Sequence, residues 1–218
     1  MKIKAIITGS TGMVGEGVLH VCLNNENVES VLLINRKPCG VVHPKLKEII
    51  HKDFMNLSEI KEQFAGYNAC YFCAGVSSVG KNEEEYIKLT YDLTLNFAKT
   101  LLNDEMILTY VSGSGTDSSE KGKLMWARVK GKTENDLLKL GFKNAFMYRP
   151  GYIQPIKGMK NTYKIYKFLT PFYSIFESLF PKYVISLDEL ANSMINVTIN
   201  GYAKNVLENE DIRRTAKN

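Results

Sequence analysis

Residues 8–15 form a glycine loop whose spacing suits it to holding phosphate groups. The loop reads Thr8-Gly9-Ser10-Thr11-Gly12-Met13-Val14-Gly15, and it follows the first apolar run and opens the first helical pattern. In that context the first glycine permits a tight turn, the second lets the backbone approach a pyrophosphate, and the third lets helix and strand pack closely. Free N–H groups at the helix start then bind the phosphates. The loop predicts a dinucleotide site; the alternative is a glycine turn without a ligand.

The second apolar run ends in Asn35-Arg36-Lys37, where the type of nucleotide can be read. An acidic residue about 20 positions past the glycines bonds the ribose 2′-hydroxyl of NAD. A carboxylate there would repel the 2′-phosphate of NADP, whereas a guanidinium can bind it through two hydrogen bonds. Arg36 and Lys37 therefore favour NADP(H), with NAD(H) still possible. The alternative is a solvated pair of basic side chains.

Strand-like and helical patterns alternate around these residues, which predicts a Rossmann-type α/β fold: a doubly wound parallel sheet of six to seven strands with helices on both faces. The strand-like runs are residues 2–8, 30–35, 48–51, 69–73, 106–111 and 144–148, with a last one near 206–207. The helical patterns are residues 12–23, 59–64, 83–102, 124–140 and 187–199. Ser58, Asn82 and Ser186 stand where N-caps are expected, and Gly141 where the fourth helix should end.

The composition is that of one soluble globular domain spanning residues 1–218. Residues 1–155 form the predicted cofactor-binding core, and residues 156–218 a short helical substrate region with a last helix and strand. The net charge of +5 is diffuse, which favours small anionic molecules and not nucleic acid. No apolar run is long enough for a transmembrane segment.

The absence of a signal peptide pattern predicts a cytoplasmic protein, in which the four cysteines should be reduced thiols. The three histidines have no metal-like spacing, so we predict no metal site. Cys70 and Cys73 form a CxxC without the second pair that a zinc ribbon needs, so we interpret them as packing residues. The aromatic-rich residues 157–183 have three interpretations: helices packed on the sheet, a substrate lid, or an oligomer or membrane-surface contact. We expect a monomer or homodimer.

The chain resembles the short-chain dehydrogenase/reductase superfamily over roughly residues 2–155. The resemblance rests on four motifs: TGSTGMVG, Asp53-Phe54, Cys73-Ala74-Gly75 and Arg149-Pro150-Gly151. It implies that Asp53 and Phe54 contact the adenine, that residues 73–75 lie along the cofactor, and that Pro150, Gly151 and Ile153 border the nicotinamide. More narrowly, VSGSGTD followed by VKGKTEN resembles the atypical Tat-interacting-protein-like branch, whose bacterial members are often labelled nucleoside-diphosphate-sugar epimerases.

The chain departs from the superfamily at the catalytic pair. The resemblance implies a Tyr and a Lys four residues apart, but here Trp126 precedes Lys130. An indole N–H donates a hydrogen bond but cannot shuttle a proton. Lys130 can still hold the nicotinamide ribose, and Ser112 (or Ser114) matches the substrate-orienting serine, unless it is an ordinary loop serine. Tyr152 is the candidate for a relocated acid, with core packing as its alternative.

Two functional hypotheses follow from this departure. In the first, the chain is an oxidoreductase or epimerase-like enzyme that uses NADP(H) on a small anionic or carbonyl-containing substrate, without the usual tyrosine. In the second, it is a non-catalytic NADP(H)-sensing regulatory or partner-binding protein. A flavin reductase of related fold is a third possibility.

Overall fold

The centre of the protein is a parallel seven-stranded sheet, seen in a computed structural model that describes residues 1–162, 173 and 178–217. The described strands are β1 (Ile3–Thr8), β2 (Val28–Asn35), β3 (Leu46–Ile50), β4 (Ala69–Phe72), β5 (Ile107–Val111), β6 (Asn144–Arg149), β7 (Tyr152–Gln154), β8 (Val184–Ser186) and β9 (Val206–Glu208). The strands of the central sheet lie in the order β3-β2-β1-β4-β5-β6-β9. The predicted doubly wound fold is confirmed, with β9 as the seventh strand.

Helices cover both faces of this sheet. They are α1 (Met13–Asn24), α2 (Glu83–Ile87), α3 (Leu93–Leu101), α4 (Met125–Leu138), α5 (Leu187–Asn200) and α6 (Asn209–Thr215). A π-helical turn at Lys88–Asp92 joins α2 to α3, and 3-10 turns lie at Lys61–Phe64 and Pro181–Tyr183. The predicted long helix after β4 is therefore present, with one wide turn in its middle.

Side-chain caps explain where several helices begin. Asn82 accepts a hydrogen bond from the Glu85 N–H, and Ser186 forms a capping box with Glu189. The predicted helix at 59–64 with Ser58 as its cap is wrong. Only the 3-10 turn forms there, and the Ser58 hydroxyl donates to Asn56 Oδ1, whereas an N-cap oxygen would accept from a helix N–H. The fourth helix ends at Leu138, before the predicted glycine stop.

The sheet is buried on both sides because alternate side chains of each strand point to opposite faces. Along β1, Ala5 and Ile7 belong to the apolar cluster that includes α1 and α5 residues, whereas Ile6 belongs to the cluster with Phe97 of α3. All three are fully buried. This two-sided burial explains why the first strand is a continuous apolar run.

Strand β1 is the topological switch point that creates a crevice for a ligand. It pairs with β2 on one side and with β4 on the other, and both pairings are parallel. Connections leave the carboxyl ends of β1 and β4 in opposite directions, which opens a crevice above these ends. The glycine loop lies at this position.

After β6 the chain forms a small second sheet that the sequence did not predict, whereas the predicted helix at 187–199 and the last strand near 206–207 are present. β7 and β8 make a separate two-stranded parallel sheet, and α6 closes the described chain. The interpretations given for residues 157–183 fall mostly on residues 163–172 and 174–177, which lie outside the described residues. Within the described ranges, no helix is long and apolar enough to cross a membrane.

Candidate functional site

A cavity of about 440 Å³ lies at the carboxyl ends of the central strands. Its lining comes from the loop after β1, the end of β2, the turns after β3 and β4, and one face of the helix at 83–101. These residues are Gly9, Thr11, Gly12, Ile34, Asn35, Arg36, Lys52, Asp53, Phe54, Met55, Cys73, Ala74, Gly75, Val76, Leu89 and Leu93. Five segments of the sequence therefore form one surface.

Half of the predicted cofactor residues line this cavity, and the other half do not. The lining includes Gly9, Thr11, Gly12, Arg36, Asp53, Phe54, Cys73, Ala74 and Gly75. The predicted residues outside the described lining are Ser10, Met13, Val14, Gly15, Lys37, Lys130, Pro150, Gly151 and Ile153. Sequence reasoning missed Ile34, Lys52, Met55, Val76, Leu89 and Leu93. The four-residue spacing of the two leucines was a detectable signal, because it places them on one helix face.

The glycine loop is held in shape by backbone contacts that leave no room for side chains. Gly9 adopts a φ of +74°, and a Cβ there would lie 2.6 Å from the Ala74 backbone nitrogen. A Cβ on Gly15 would collide with the carbonyl of Gly9. Gly12, by contrast, is the exposed N-cap of α1 and has no side chain to cap the helix. The first turn of α1 therefore presents its N–H groups toward the cavity side without a competing side chain.

Asn35, at the end of β2, is fixed in a polar network below the loop. Its Nδ2 donates to Ser10 Oγ over 2.7 Å and to Glu48 Oε1 over 2.7 Å. The same Glu48 oxygen accepts from the Cys39 N–H over 2.9 Å. Asn35 is only 3% exposed. The side chain at the nucleotide-discriminating position is therefore neutral and already engaged within the protein.

Two cations line the cavity next to this network. Arg36 and Lys52 are both exposed. Among the described residues, neither has an acidic partner within 4.0 Å. This end of the cavity is therefore suited to an anionic group.

The turn after β3 is a rigid part of the wall. The Asp53 carboxylate accepts from the Met55 N–H over 2.9 Å, and Asn96 Nδ2 donates to the Phe54 carbonyl over 3.0 Å. The Phe54 ring stacks on Phe97 with centroids 5.7 Å apart. The backbone of this wall is consequently tied to α3 before any ligand binds.

Cys73 is the lining residue whose chemistry needs comment. Burial raises the pKa of its thiol to about 12, so the sulfur is protonated near neutral pH. All four cysteines are free. Cys73 is thus a small packing group in the wall and not a thiolate nucleophile.

The predicted catalytic residues Lys130 and Ser112 lie together at the end of β5. Lys130 Nζ donates to the Ser112 backbone carbonyl. Burial lowers the pKa of the Lys130 ammonium to about 8, an effect that nearby Glu134 opposes. The Ser112 hydroxyl donates to Glu134 Oε1, and it also lies 3.1 Å from the Tyr148 carbonyl. The serine hydroxyl is therefore engaged inside the protein.

Glu134 is the centre of a buried ionic network that sequence reasoning missed. Its side chain is fully buried and pairs with Arg149, whose Nε lies 3.1 Å from both carboxylate oxygens. Arg149 also reaches Glu208 over 3.6 Å. Glu134 follows Lys130 by four residues on α4, a spacing that places both on one helix face.

Trp126 and Tyr152 complete the set of predicted site residues. Trp126 is half-buried, one turn before Lys130 on α4, and packs near Gly115. The Tyr152 hydroxyl donates to Gln154 Oε1 over 3.0 Å within β7. Neither residue belongs to the described lining of the cavity. In the part of the chain that the structure describes, no group of three or more His, Cys, Asp or Glu side chains could hold a metal.

Glu16, in the first turn of α1, links the glycine loop to the chain after β7. This side chain is buried and accepts hydrogen bonds from the N–H groups of Lys160 and Asn161 over 2.8 and 2.7 Å. His20 lies one turn away, with its Nε2 3.8 Å from the carboxylate. One carboxylate thus joins the start of α1 to residues 160–161.

Comparison with solved structures supports the fold. The protein is similar to a UDP-N-acetylglucosamine 4-epimerase from Methanobrevibacter ruminantium, with a TM-score of 0.67 and 16% identity over 94% of this chain and 76% of that one. It is also similar to an ADP-L-glycero-D-manno-heptose-6-epimerase from Helicobacter pylori, with a TM-score of 0.67 and 14% identity over 99% and 81%. Identities this low show a shared fold only.

Curated relatives correct one expectation. The chain is similar to proteins named FMP52, mitochondrial, from Debaryomyces hansenii (29% identical over 150 residues) and Meyerozyma guilliermondii (25% over 151 residues). The matches cover 68% and 69% of this chain but only 66% and 65% of those proteins. The expected cytoplasmic location is contradicted by these mitochondrial relatives. Their name also differs from the Tat-interacting-protein-like branch, which these comparisons do not support specifically.

The sequence profile of the NAD dependent epimerase/dehydratase family matches residues 5–121, which is more than half of the chain. That region contains the glycine loop and every residue that lines the cavity. This protein belongs to the NAD dependent epimerase/dehydratase family.

Proposed function

We propose that this protein binds NADP(H) in the 440 Å³ cavity and uses it on a small anionic or carbonyl-containing substrate, as an oxidoreductase or epimerase-like enzyme. The observation that carries the proposal is the meeting of the glycine loop, the exposed cation Arg36 and the Asp53-Phe54 turn on one cavity. Each was singled out from sequence for a different part of the same nucleotide. Their convergence supports a single elongated ligand.

The glycine loop fits a pyrophosphate. Gly12 carries no Cβ, and a built Cβ there would meet only the Gly9 carbonyl, at 3.4 Å. The uncapped N-terminus of α1 offers N–H donors and the positive end of the helix dipole. The residues proposed to hold the pyrophosphate are Gly9, Ser10, Thr11, Gly12, Met13, Val14 and Gly15.

The adenosine end is proposed to prefer NADP(H) over NAD(H). Asn35 occupies the position of the acidic residue that bonds a ribose 2′-hydroxyl, and its amide hydrogens are engaged by Ser10 and Glu48. Among the described residues Arg36 has no acidic partner, so its planar guanidinium can bind a 2′-phosphate. Asp53 and Phe54 are proposed to border the adenine.

The nicotinamide end retains the lysine of the superfamily without its tyrosine. Bound NADP(H) supplies a hydride acceptor or donor, and Lys130 is proposed to hold the nicotinamide ribose. Cys73, Ala74 and Gly75 would lie along the cofactor, and Pro150, Gly151 and Ile153 beside its nicotinamide. A proton donor is still needed. Tyr152 remains the proposed acid, with its hydroxyl now bonded to Gln154.

A second candidate function is NADP(H) sensing without turnover. It is favoured by the Ser112 hydroxyl, which donates to Glu134, and by Trp126, which cannot shuttle a proton. In this alternative the cofactor stabilises one state of the protein that a partner recognises. The two candidates differ in whether bound NADPH is consumed.

The test is a fluorescence titration of purified protein with NADPH and with NADH, using wild type and Arg36→Ala. We expect NADPH to bind more tightly, and Arg36→Ala to remove most of the difference, about tenfold for one charge-assisted phosphate contact. Equal affinities for both nucleotides, or no effect of the substitution, would contradict the NADP(H) assignment. NADPH oxidation with small carbonyl compounds then separates the enzyme from the sensor.

We also propose that residues 1–218 act as one domain, with residues 1–155 as its cofactor-binding core. The names of the fungal relatives support a mitochondrial location. Fractionation of cells that produce the tagged protein tests this location directly.

A further inference from the structure

The adenosine end of the cavity carries a second cation, Lys52, that the sequence did not single out. Lys52 follows β3, whereas Arg36 follows β2, and both line the cavity. Lys37, the lysine adjacent to Arg36 in sequence, is exposed but lies outside the described lining. The structure thus brings together a pair of cations that are distant in sequence.

The parallel pairing of β2 and β3 sets this arrangement. Asn35 is in register with Ile50, and the His51 N–H donates to the Asn35 carbonyl over 2.8 Å, which extends the pairing beyond the strand ends. Neighbouring parallel strands lie about 4.8 Å apart. Arg36 and Lys52 therefore leave adjacent strands at the same edge of the sheet, and both line one cavity.

The surroundings leave both cations available. Within the described chain, no acidic side chain lies within 4.0 Å of either one. The closest acid in sequence, Asp53, has one oxygen engaged by the Met55 N–H. Glu48 contributes an oxygen to the bonds with Asn35 and Cys39. Two exposed cations that have no acidic partner among the described residues suit a dianionic group better than a hydroxyl.

We infer that Lys52 and Arg36 together form a clamp for the 2′-phosphomonoester of an adenosine ribose, with Lys52 as a specificity-determining residue. The inference rests on the proposed function, because it names the group that the same cavity recognises. Arg36 supplies planar paired donors, and Lys52 supplies a compact point charge from the other strand. Lys37 is not part of the clamp.

The experiment measures the Kd of NADPH, NADH and 2′,5′-ADP for wild type, Lys52→Met, Lys52→Arg and Lys37→Met. Lys47→Met is the matched control, since Lys47 is an exposed lysine of β3 outside the cavity lining. We expect Lys52→Met to weaken NADPH and 2′,5′-ADP about three- to tenfold and NADH less than about twofold. Lys52→Arg should restore most of the loss, and Lys47→Met should behave as wild type.

The outcomes separate this inference from the proposed function. If Lys52→Met weakens NADPH and NADH equally, or weakens neither, the clamp is wrong even when Arg36→Ala still lowers the NADPH preference. If Lys37→Met causes the selective loss instead, the sequence-based pair is correct and the clamp is overturned. If wild type binds none of the three nucleotides, the proposed function fails and the clamp with it.

Discussion

The buried pair of Glu134 and Arg149 offers the sharpest test of the energetics, through the substitution Arg149→Met. Glu134 is fully buried, and its described donors are Arg149 and the Ser112 hydroxyl. Removing the arginine leaves a carboxylate in the interior with one hydroxyl donor. Such an uncompensated charge destabilises a fold by about 3–5 kcal/mol. We expect a loss of this size for Arg149→Met.

Glu134→Gln, which changes the other partner of the pair, should lower the free energy of unfolding by less than Arg149→Met does. Arg149 keeps Glu208 at 3.6 Å, and the arginine is not fully buried, since 11% of its side chain is exposed. Loss of hydrogen bonds to a charged group costs about 1.5–3 kcal/mol. In Glu134→Gln/Arg149→Met both charges are gone, and the Ser112 hydroxyl retains the Tyr148 carbonyl as an acceptor. The double variant should therefore be more stable than Arg149→Met alone.

Equilibrium urea unfolding followed by circular dichroism measures these differences. The control is Lys143→Met, which breaks an exposed pair with Glu105 and should cost about 0–1 kcal/mol. An Arg149→Met variant within about 1 kcal/mol of wild type would contradict the cost expected for an unpaired buried carboxylate. A double variant that loses the sum of the two single losses would contradict it as well, because the two side chains would then not be coupled.

Three further predictions concern the glycine loop and the proposed catalytic residues. Gly15→Ala should destabilise the fold by about 1–3 kcal/mol and weaken NADPH binding, because a Cβ there collides with the Gly9 carbonyl. Thermal melts with and without NADPH check both effects. An unchanged Tm would contradict the predicted collision. Trp126→Tyr should raise NADPH oxidation with small carbonyl compounds at least about tenfold by restoring a proton donor four residues before Lys130, and a rate equal to wild type argues that the missing tyrosine is not what limits turnover. Burial lowers the pKa of Lys130 from 10.5 to about 8. Between these two pH values the unfolded chain holds a proton that the folded chain has released. The stability of wild type should therefore rise with pH relative to Lys130→Met, by up to roughly 1.4 kcal/mol per pH unit. Urea midpoints across that range give the slope, and a difference that is flat or falls with pH is inconsistent with a buried ammonium.

The fold was largely predictable because its long elements have strong patterns. The apolar runs of β1, β2 and β5 are buried on both faces, so they stand out without periodicity. β7 and β8 were missed because three residues are too few to show a pattern, and their pairing joins positions such as Ile153 and Ile185 that are far apart in sequence. The prediction that Ser58 caps a helix was wrong because its hydroxyl bonds to Asn56 Oδ1 in a local turn.

The site was predictable where a motif is local and not where it depends on register. The glycine loop and the turns after β3 and β4 are contiguous, so their residues could be named from sequence. Lys52 depends on how β3 pairs with β2, which sequence alone does not give. Glu134 carried a detectable signal, its spacing from Lys130 on α4, but nothing in the sequence indicated that Ser112 and Arg149 would converge on it.

The hydrogen bonds of Glu16 make the state of the glycine loop measurable at residues 160–161. The carboxylate in the first turn of α1 holds the amide hydrogens of Lys160 and Asn161, which belong to the chain that leaves β7. Amides held in this way exchange with solvent only when the bond opens. Hydrogen–deuterium exchange at these two positions therefore reads out the state of the start of α1 from a distant part of the sequence, without a label on the loop and without any turnover.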